Sequence, residues 1–215
     1  MAVLSLMGYL SSKAIIQTSA GNEMSQCLSV AMGSIEMSLS NNRMVAETMA
    51  RGVEAVQRQA VKGEQTASDW DAAAYQEILT SFVGSNPETF GGGIWFEPYQ
   101  YRPEQRYFSP YCMRQNGAVT YVDNYSLGEG VYYTDQDWYT NAANTTQKSV
   151  WSAPYYDEFA QISMVTSSAP IYDETGRFLG VATADIDLTQ MQQMVLSLDV
   201  VANGRAFLID DTGVY

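Results

Sequence analysis

The chain has 215 residues, of which 46% are hydrophobic and 16% charged. That length and balance suit a folded domain, or one domain and the start of another, and not a solvated tail. Eleven Lys and Arg against 24 Asp and Glu leave a net charge of −13, which argues against nucleic acid and anionic lipid as partners. Histidine is absent, so Ser-His-Asp and Cys-His catalysis, imidazole bases and His-ligated metals are excluded. Cys27 and Cys112 lack the clustering of a metal motif and fall in different kinds of segment, so neither a metal site nor a disulfide is expected.

Ala2 to Leu10 is an apolar run of about ten residues, half of the ~20 that a bilayer needs. We read residues 1–12 as the end of a membrane-spanning helix, or simply as the first turns of the chain. Residues 13–83 form a helical region. Ile16, Ala20, Met24, Cys27, Ala31, Ile35 and Leu39, then Val45, Met49, Val53, Val56 and Ala60, recur mostly at steps of three or four. That spacing predicts one apolar stripe on a long helix from about Ser11 to Lys62, with Asn41-Asn42 as a break or a bend. The stripe packs on the sheet that follows, and the helix is also a candidate homodimer surface. A further helix is predicted from about Ser68 to Val83, capped by Ser68 or Asp69 and ended near Gly84 and Pro87.

Beyond Pro87 the pattern turns to strands. Gly91-Gly92-Gly93 precedes Ile-Trp-Phe-Glu; it is no phosphate loop, because no Gly-Lys-Ser/Thr follows and a strand comes next. Arg106 to Arg114 and Ala118 to Tyr125 read as two strands joined by Gln115-Asn116-Gly117, a hairpin signal. A short helix is expected at Trp138 to Asn144, with Asp137 as its cap. Ile162 to Asp173 and Arg177 to Leu188 read as two more strands, joined at Glu174-Thr175-Gly176 with Gly at positive φ. Thr189 to Leu198 reads as a helix. Five strands joined largely by hairpins, after long helices, make an α+β fold with an antiparallel sheet. Residues 84–200 are read as one module, and 201–215, with Gly204 to Tyr215 as a strand and turn, as the beginning of another.

Fifteen Tyr, four Trp and seven Phe stand out, and most of the Tyr and Trp fall between Trp95 and Tyr156. They serve either as a packed β core or as the walls of a ligand pocket. The run GIWFEPY, SPYCMR, VTYVDNY, DWY, VWSAPYYDE, MVTSSAPIYD, GRFLGVATADIDL and GRAFLIDDTG resembles the double Cache sensor domains, PAS-like extracytoplasmic modules of bacterial transmembrane receptors. The resemblance covers about Gly91 to Tyr215 by motif and the preceding helices by layout. It implies a long helix emerging from the membrane, a distal module that binds a small ligand, and a proximal module. It places the chain on the periplasmic or extracellular side, tethered to a chemoreceptor, histidine kinase, diguanylate cyclase or phosphatase.

In amino-acid-binding members an Arg two residues before a Trp-Tyr pair holds the ligand carboxylate, and an Asp with nearby Tyr residues holds its amine. The resemblance carries these roles onto Trp138, Tyr139, Tyr155 and Asp185. The Arg position is Gln136 here, beside Asp135 and Asp137. Without a guanidinium the site loses its complement for an acid. What remains is Tyr121, Trp138, Tyr139, Trp151 and Tyr155 with Asp137, Asp157 and Asp185, and aromatic faces with carboxylates suit a cation. The expected ligand is therefore an amine or quaternary ammonium compound before an amino acid. No cofactor, no metal and no catalysis are expected; the alternative function is a non-binding structural or dimerisation spacer. Cap, loop and core roles for the same residues stay open at this point.

Overall fold

The computed structural model describes residues 2–60, 72–122, 125, 132–197 and 209. They include α1 (Ala2–Ala60), α2 (Ala72–Ser85), β1 (Gly91–Phe96), β2 (Tyr111–Gln115) and β3 (Ala118–Val122). A short 3-10 helix (Tyr133–Asp135) and α3 (Asp137–Ala143) follow. Then come β4 (Val150–Trp151), β5 (Tyr155–Asp157), β6 (Ile162–Tyr172), β7 (Phe178–Asp187) and α4 (Leu188–Leu196). Two compact units divide the chain: Ser38–Leu188, and the described residues of Met1–Met37 with those of Thr189–Tyr215.

No proline interrupts the first 60 residues, and α1 is continuous. The helix does not break at Asn41-Asn42, because Asn42 is used within it and beyond it. Its amide Nδ2 donates to the Ser38 carbonyl at 3.1 Å, and its Oδ1 accepts from Thr89 Oγ1 at 2.8 Å. The predicted stripe is buried at Val45, Met49 and Val53, together with Ala46 and Ala50. The expected caps Ser68 and Asp69, and the last segment apart from Ile209, lie outside the described residues.

The sheet is wholly antiparallel, in the order β3-β2-β1-β7-β6-β4, with β5 also paired to β6. Among the described residues seven strands replace the expected five, because β4 and β5 are two- and three-residue edge pieces. The expected strand from Arg106 shortens to Tyr111–Gln115. Pro110 has no N–H to continue a ladder, yet the Pro110 and Phe108 carbonyls still accept from Ile94 and Phe96 of β1. The β2–β3 turn holds Asn116 and Gly117 at φ 52° and 81°, as a two-residue hairpin of this kind requires. At the β6–β7 turn the Asp173 carboxylate accepts from Thr175 and Arg177. Those bonds, chiefly the Thr175 hydroxyl's, hold its pKa down at about 2.

Alternation along the strands gives the sheet two faces. One face carries Ile94, Phe96, Ala169, Ile171, Ala182 and Ala184 and packs with Val45, Met49 and Val53 of α1 and Tyr75, Leu79 and Val83 of α2. The other carries Trp95, Tyr111, Met113 and Val181 and packs with Tyr133, Trp138, Tyr139 and Ala142.

Candidate functional site

The second face holds a buried carboxylate. Asp185 lies near the end of β7, opposite Gly91 of β1 and Thr166 of β6, and is 3% exposed. Tyr111 donates its hydroxyl to Asp185 Oδ2 at 2.8 Å, and Thr166 Oγ1 donates to Oδ1 at 2.8 Å. Thr166 has one hydroxyl proton. Given to Asp185, it leaves the Thr166 oxygen to accept from the Tyr155 hydroxyl, 2.8 Å away. The donor chain Tyr155→Thr166→Asp185←Tyr111 therefore ends on the carboxylate.

Burial penalises the charged form of Asp185 and raises its pKa to about 7. The bonds from Thr166 and Tyr111 pull the other way, and the negative charge of Asp157 adds to the rise. Burial likewise lifts the Tyr111 and Tyr155 hydroxyls, with Asp185 adding to both shifts, so they are donors at neutral pH.

The three consecutive glycines make this arrangement fit. Gly91 and Gly93 lie on the same face as Trp95, under the Tyr111 ring. A Cβ on Gly91 would collide with the Tyr111 hydroxyl, and one on Gly93 would sit 2.9 Å from the Tyr111 ring. Gly92 faces the other way, where a Cβ would lie 2.9 Å from the Thr183 carbonyl and 3.4 Å from Met49. The glycines thus form a flat floor that lets Tyr111 lie across β1 and reach Asp185.

Around Asp185 a cavity opens between Trp95, Tyr111, Tyr125, Trp138 and Tyr155, with Met164, Thr166 and Thr183 on the strands and Asp157 as a second carboxylate. It measures about 20 Å³ by where the centre of a water fits, room for one or two waters. The Trp95 ring centroid lies 4.8 Å from that of Trp138, 5.1 Å from Tyr125 and 5.5 Å from Tyr111. The Trp95 indole N–H donates to Thr183 Oγ1 at 2.8 Å. Tyr125 donates its hydroxyl to both oxygens of Asp157, at 3.0 and 3.1 Å. Asp157 also accepts the Phe159 and Ala160 N–H groups, which fixes it at the mouth of its turn.

None of the ten lining residues is Lys or Arg. Arg114 is committed elsewhere: it donates to the Thr89, Val83 and Asn86 carbonyls at 2.6–3.1 Å, closing the end of α2. Arg106 lies over the Tyr107 ring, 4.9 Å from its centroid.

Of the residues singled out from sequence, the structure brings Trp138, Tyr155, Asp157 and Asp185 to the cavity. It does not bring the other four. Tyr121 falls on the helix-packed face of β3 and joins that core. Trp151 pairs with Ser167, a register step away from Val150, which packs on the aromatic face. Tyr139 is buried beside Trp138 but turns its hydroxyl to Glu97 at 2.7 Å. Asp137 is exposed and is the first residue of α3, not its cap; Gln136 takes the cap position without a side-chain bond. There its charge suits the positive end of the helix.

Sequence reasoning missed Trp95, Tyr111, Tyr125, Met164, Thr166 and Thr183. Two signals pointed to them. A triple glycine inside a strand announces a close approach by something bulky. A hydroxyl or carboxyl inside otherwise apolar strands, as in Met-Val-Thr and Ala-Thr-Ala-Asp, announces a buried partner.

An antiparallel sheet with a long helix on one face and an aromatic, carboxylate-bearing cavity on the other is the arrangement of a PAS-like sensor module. Residues 75–193 match the family model described as methyl-accepting chemotaxis protein-like, first PDC sensor domain, and the chain belongs to that family. Over 80 residues it is 39% identical to the methyl-accepting chemotaxis protein McpC of Bacillus subtilis, covering 37% of this chain and 12% of that receptor. The chain therefore spans about an eighth of that relative's length. Its fold is similar to the extracellular domain of the histidine kinase mmHK1S-Z3, with TM-score 0.66, 23% identity, and coverage of 82% of this chain and 62% of that one. It is also similar to the ligand-binding domain of the Pseudomonas aeruginosa amino acid chemoreceptor PctC in complex with GABA, with TM-score 0.60, 18% identity, and coverage of 89% and 73%. The fold is thus that of the extracellular sensor domains of chemoreceptors and histidine kinases.

Proposed function

We propose that this chain is the extracytoplasmic sensor of a membrane-tethered bacterial chemoreceptor, and that it takes a small ammonium-bearing ligand between Asp185, Asp157 and the aromatic wall. The observation that carries this reading is the pairing of two carboxylates with five aromatic residues in one cavity, with no Lys or Arg among its described lining residues. Desolvated aromatic faces attract a cation by ~2 kcal/mol or more, and a carboxylate beside them supplies the counter-charge. An ammonium at Asp157 takes the place of the Tyr125 hydroxyl, the bond by which that ring covers the site. The similar PctC domain is named for a complex with GABA, which carries an amine together with a carboxylate.

The signal is proposed to leave through α1. Strand β6 contributes Thr166 to the cavity and is also tied to α1. Arg51 donates to the Pro170 carbonyl at 2.8 Å, and Glu54 accepts the Tyr172 N–H at 3.0 Å. Dimerisation along α1 belongs to the same proposal; Val30 and Met37, seven residues apart on one face of that helix, are more than 60% exposed. A second reading, a non-binding spacer, is favoured by the size of the cavity, since a ligand larger than two waters must displace wall side chains.

A thermal-shift panel on the 215-residue chain separates these readings. A ligand at a hundred times its Kd stabilises by ~2.7 kcal/mol, a rise of roughly 5–10 °C for a chain of this size. The expected result is a rise with primary or quaternary amines and none with dicarboxylates. A rise with a dicarboxylate and none with any amine overturns the amine reading; no rise in any class leaves the spacer.

A further inference from the structure

Counting protons around the cavity separates groups already engaged from groups that are not. Tyr111 and Thr166 give theirs to Asp185, Tyr155 to Thr166, Tyr125 to Asp157 and Trp95 to Thr183. Thr183 therefore accepts a bond, but its own hydroxyl proton has no acceptor among the described residues. Thr183 is 1% exposed and lines the cavity. Directly across the ladder, on the same face, is Ser168, fully buried and with its hydroxyl unpaired among the described residues. A buried hydroxyl without an acceptor is costly, and here two of them are cross-strand neighbours.

We infer that Thr183 is a specificity-determining residue for the ligand, and that the ligand is an amine carrying a neutral oxygen acceptor that receives the Thr183 hydroxyl. This rests on the proposed binding of an ammonium at Asp185. Thr183 and Asp185 are two residues apart on β7, ~7 Å between Cα atoms, with side chains on one face. A nitrogen bonded to the carboxylate and an oxygen bonded to the hydroxyl are then joined by a two- or three-carbon chain. The oxygen is neutral, as in an alcohol, ester or amide, because the cavity already holds two carboxylates and no cation among its described lining residues. A carboxylate in that place would be desolvated beside like charges without a counter-ion.

Calorimetry at pH 8 on the 215-residue chain, with ethanolamine and its methyl isostere 1-propylamine, tests this. The wild type should bind ethanolamine about fivefold more tightly, the worth of one neutral hydrogen bond. Thr183→Val should remove that preference, so that the two amines bind within twofold of each other whatever the variant does to both. Thr183→Ser keeps the hydroxyl and should keep the preference, which guards against reading a folding defect as lost recognition. Glycinamide should likewise bind more tightly than glycine. Equal binding of the two amines by the wild type, or a preference that survives Thr183→Val, overturns the inference and leaves the amine site standing. If neither amine binds, the amine reading itself fails and the inference falls with it.

Discussion

The two faces of one sheet differ in chemistry although they are built from the same strands. Ile94 and Phe96 point to the helices, and Trp95 between them points to the cavity. Ala182 and Ala184 sit under α1 and α2, whereas Thr183 and Asp185 line the site. The helix-packed face is apolar and closed by edge-to-face rings, Tyr75 with Phe96 and Phe108 at 5.9 and 5.4 Å. The cavity face retains hydroxyls, two carboxylates and unfilled space. Period-two alternation thus lets one strand carry stability on one side and recognition on the other, so the two can be broken separately.

The largest expected effect is on the helix-packed face. Phe96→Ala removes a ring that is 1% exposed and should cost about 3–5 kcal/mol. Chemical denaturation would show it as a lower midpoint with an unchanged slope. A loss below 1 kcal/mol would mean that this face is not the core.

The cavity face should behave in the opposite sense. Asp185 has its pKa raised from 3.8 to about 7 in the folded chain. Between those values the folded state holds a proton that the unfolded state has lost, so stability falls as pH rises. The loss should total roughly 4 kcal/mol from about pH 4 to pH 7 and then level off. Because an ammonium needs the ionised carboxylate, ligand affinity should rise over the upper part of that window. Stability and affinity measured from pH 5 to pH 8 should therefore move in opposite directions; affinity that falls with pH would contradict the assignment.

A smaller effect is expected at the floor of the site. Gly91→Ala should push the Tyr111 hydroxyl off Asp185 and weaken amine binding about tenfold, the worth of one hydrogen bond to a charged group. It should also move the pH midpoint of binding upward, because a donor that favours the ionised form is lost. Binding unchanged in this variant would show that Tyr111 plays no part in orienting the carboxylate. The smallest effect belongs to Asp137→Ala, which should leave amine affinity unchanged and alter stability by less than ~0.5 kcal/mol.

The contrast between faces also marks where the sequence was legible. The stripe Val45, Met49 and Val53 has helical period and is buried as that period predicts. The Asn116-Gly117 turn needs only local geometry, and α3 covers Asp137–Ala143 against the expected Trp138 to Asn144. The edge strands β4 and β5 escaped notice because pairing to β6, and not local preference, makes them extended. In the site, Asp185 and Trp138 are legible as motif residues. Tyr111, Thr166 and Thr183 are not, because their meeting depends on the register of β1, β2, β6 and β7, set by contacts far apart in the chain.

The most direct test compares the thermal midpoints of wild type and Asp185→Asn at pH 8, with and without ethanolamine. If Asp185 is a buried carboxylate kept for a cation, the unliganded variant, relieved of the buried charge but with one hydroxyl bond that the Asn Nδ2 cannot accept, should melt about 5 °C higher and should not respond to the amine that raises the wild type. A variant that melts lower than the wild type and is still stabilised by ethanolamine would contradict the account.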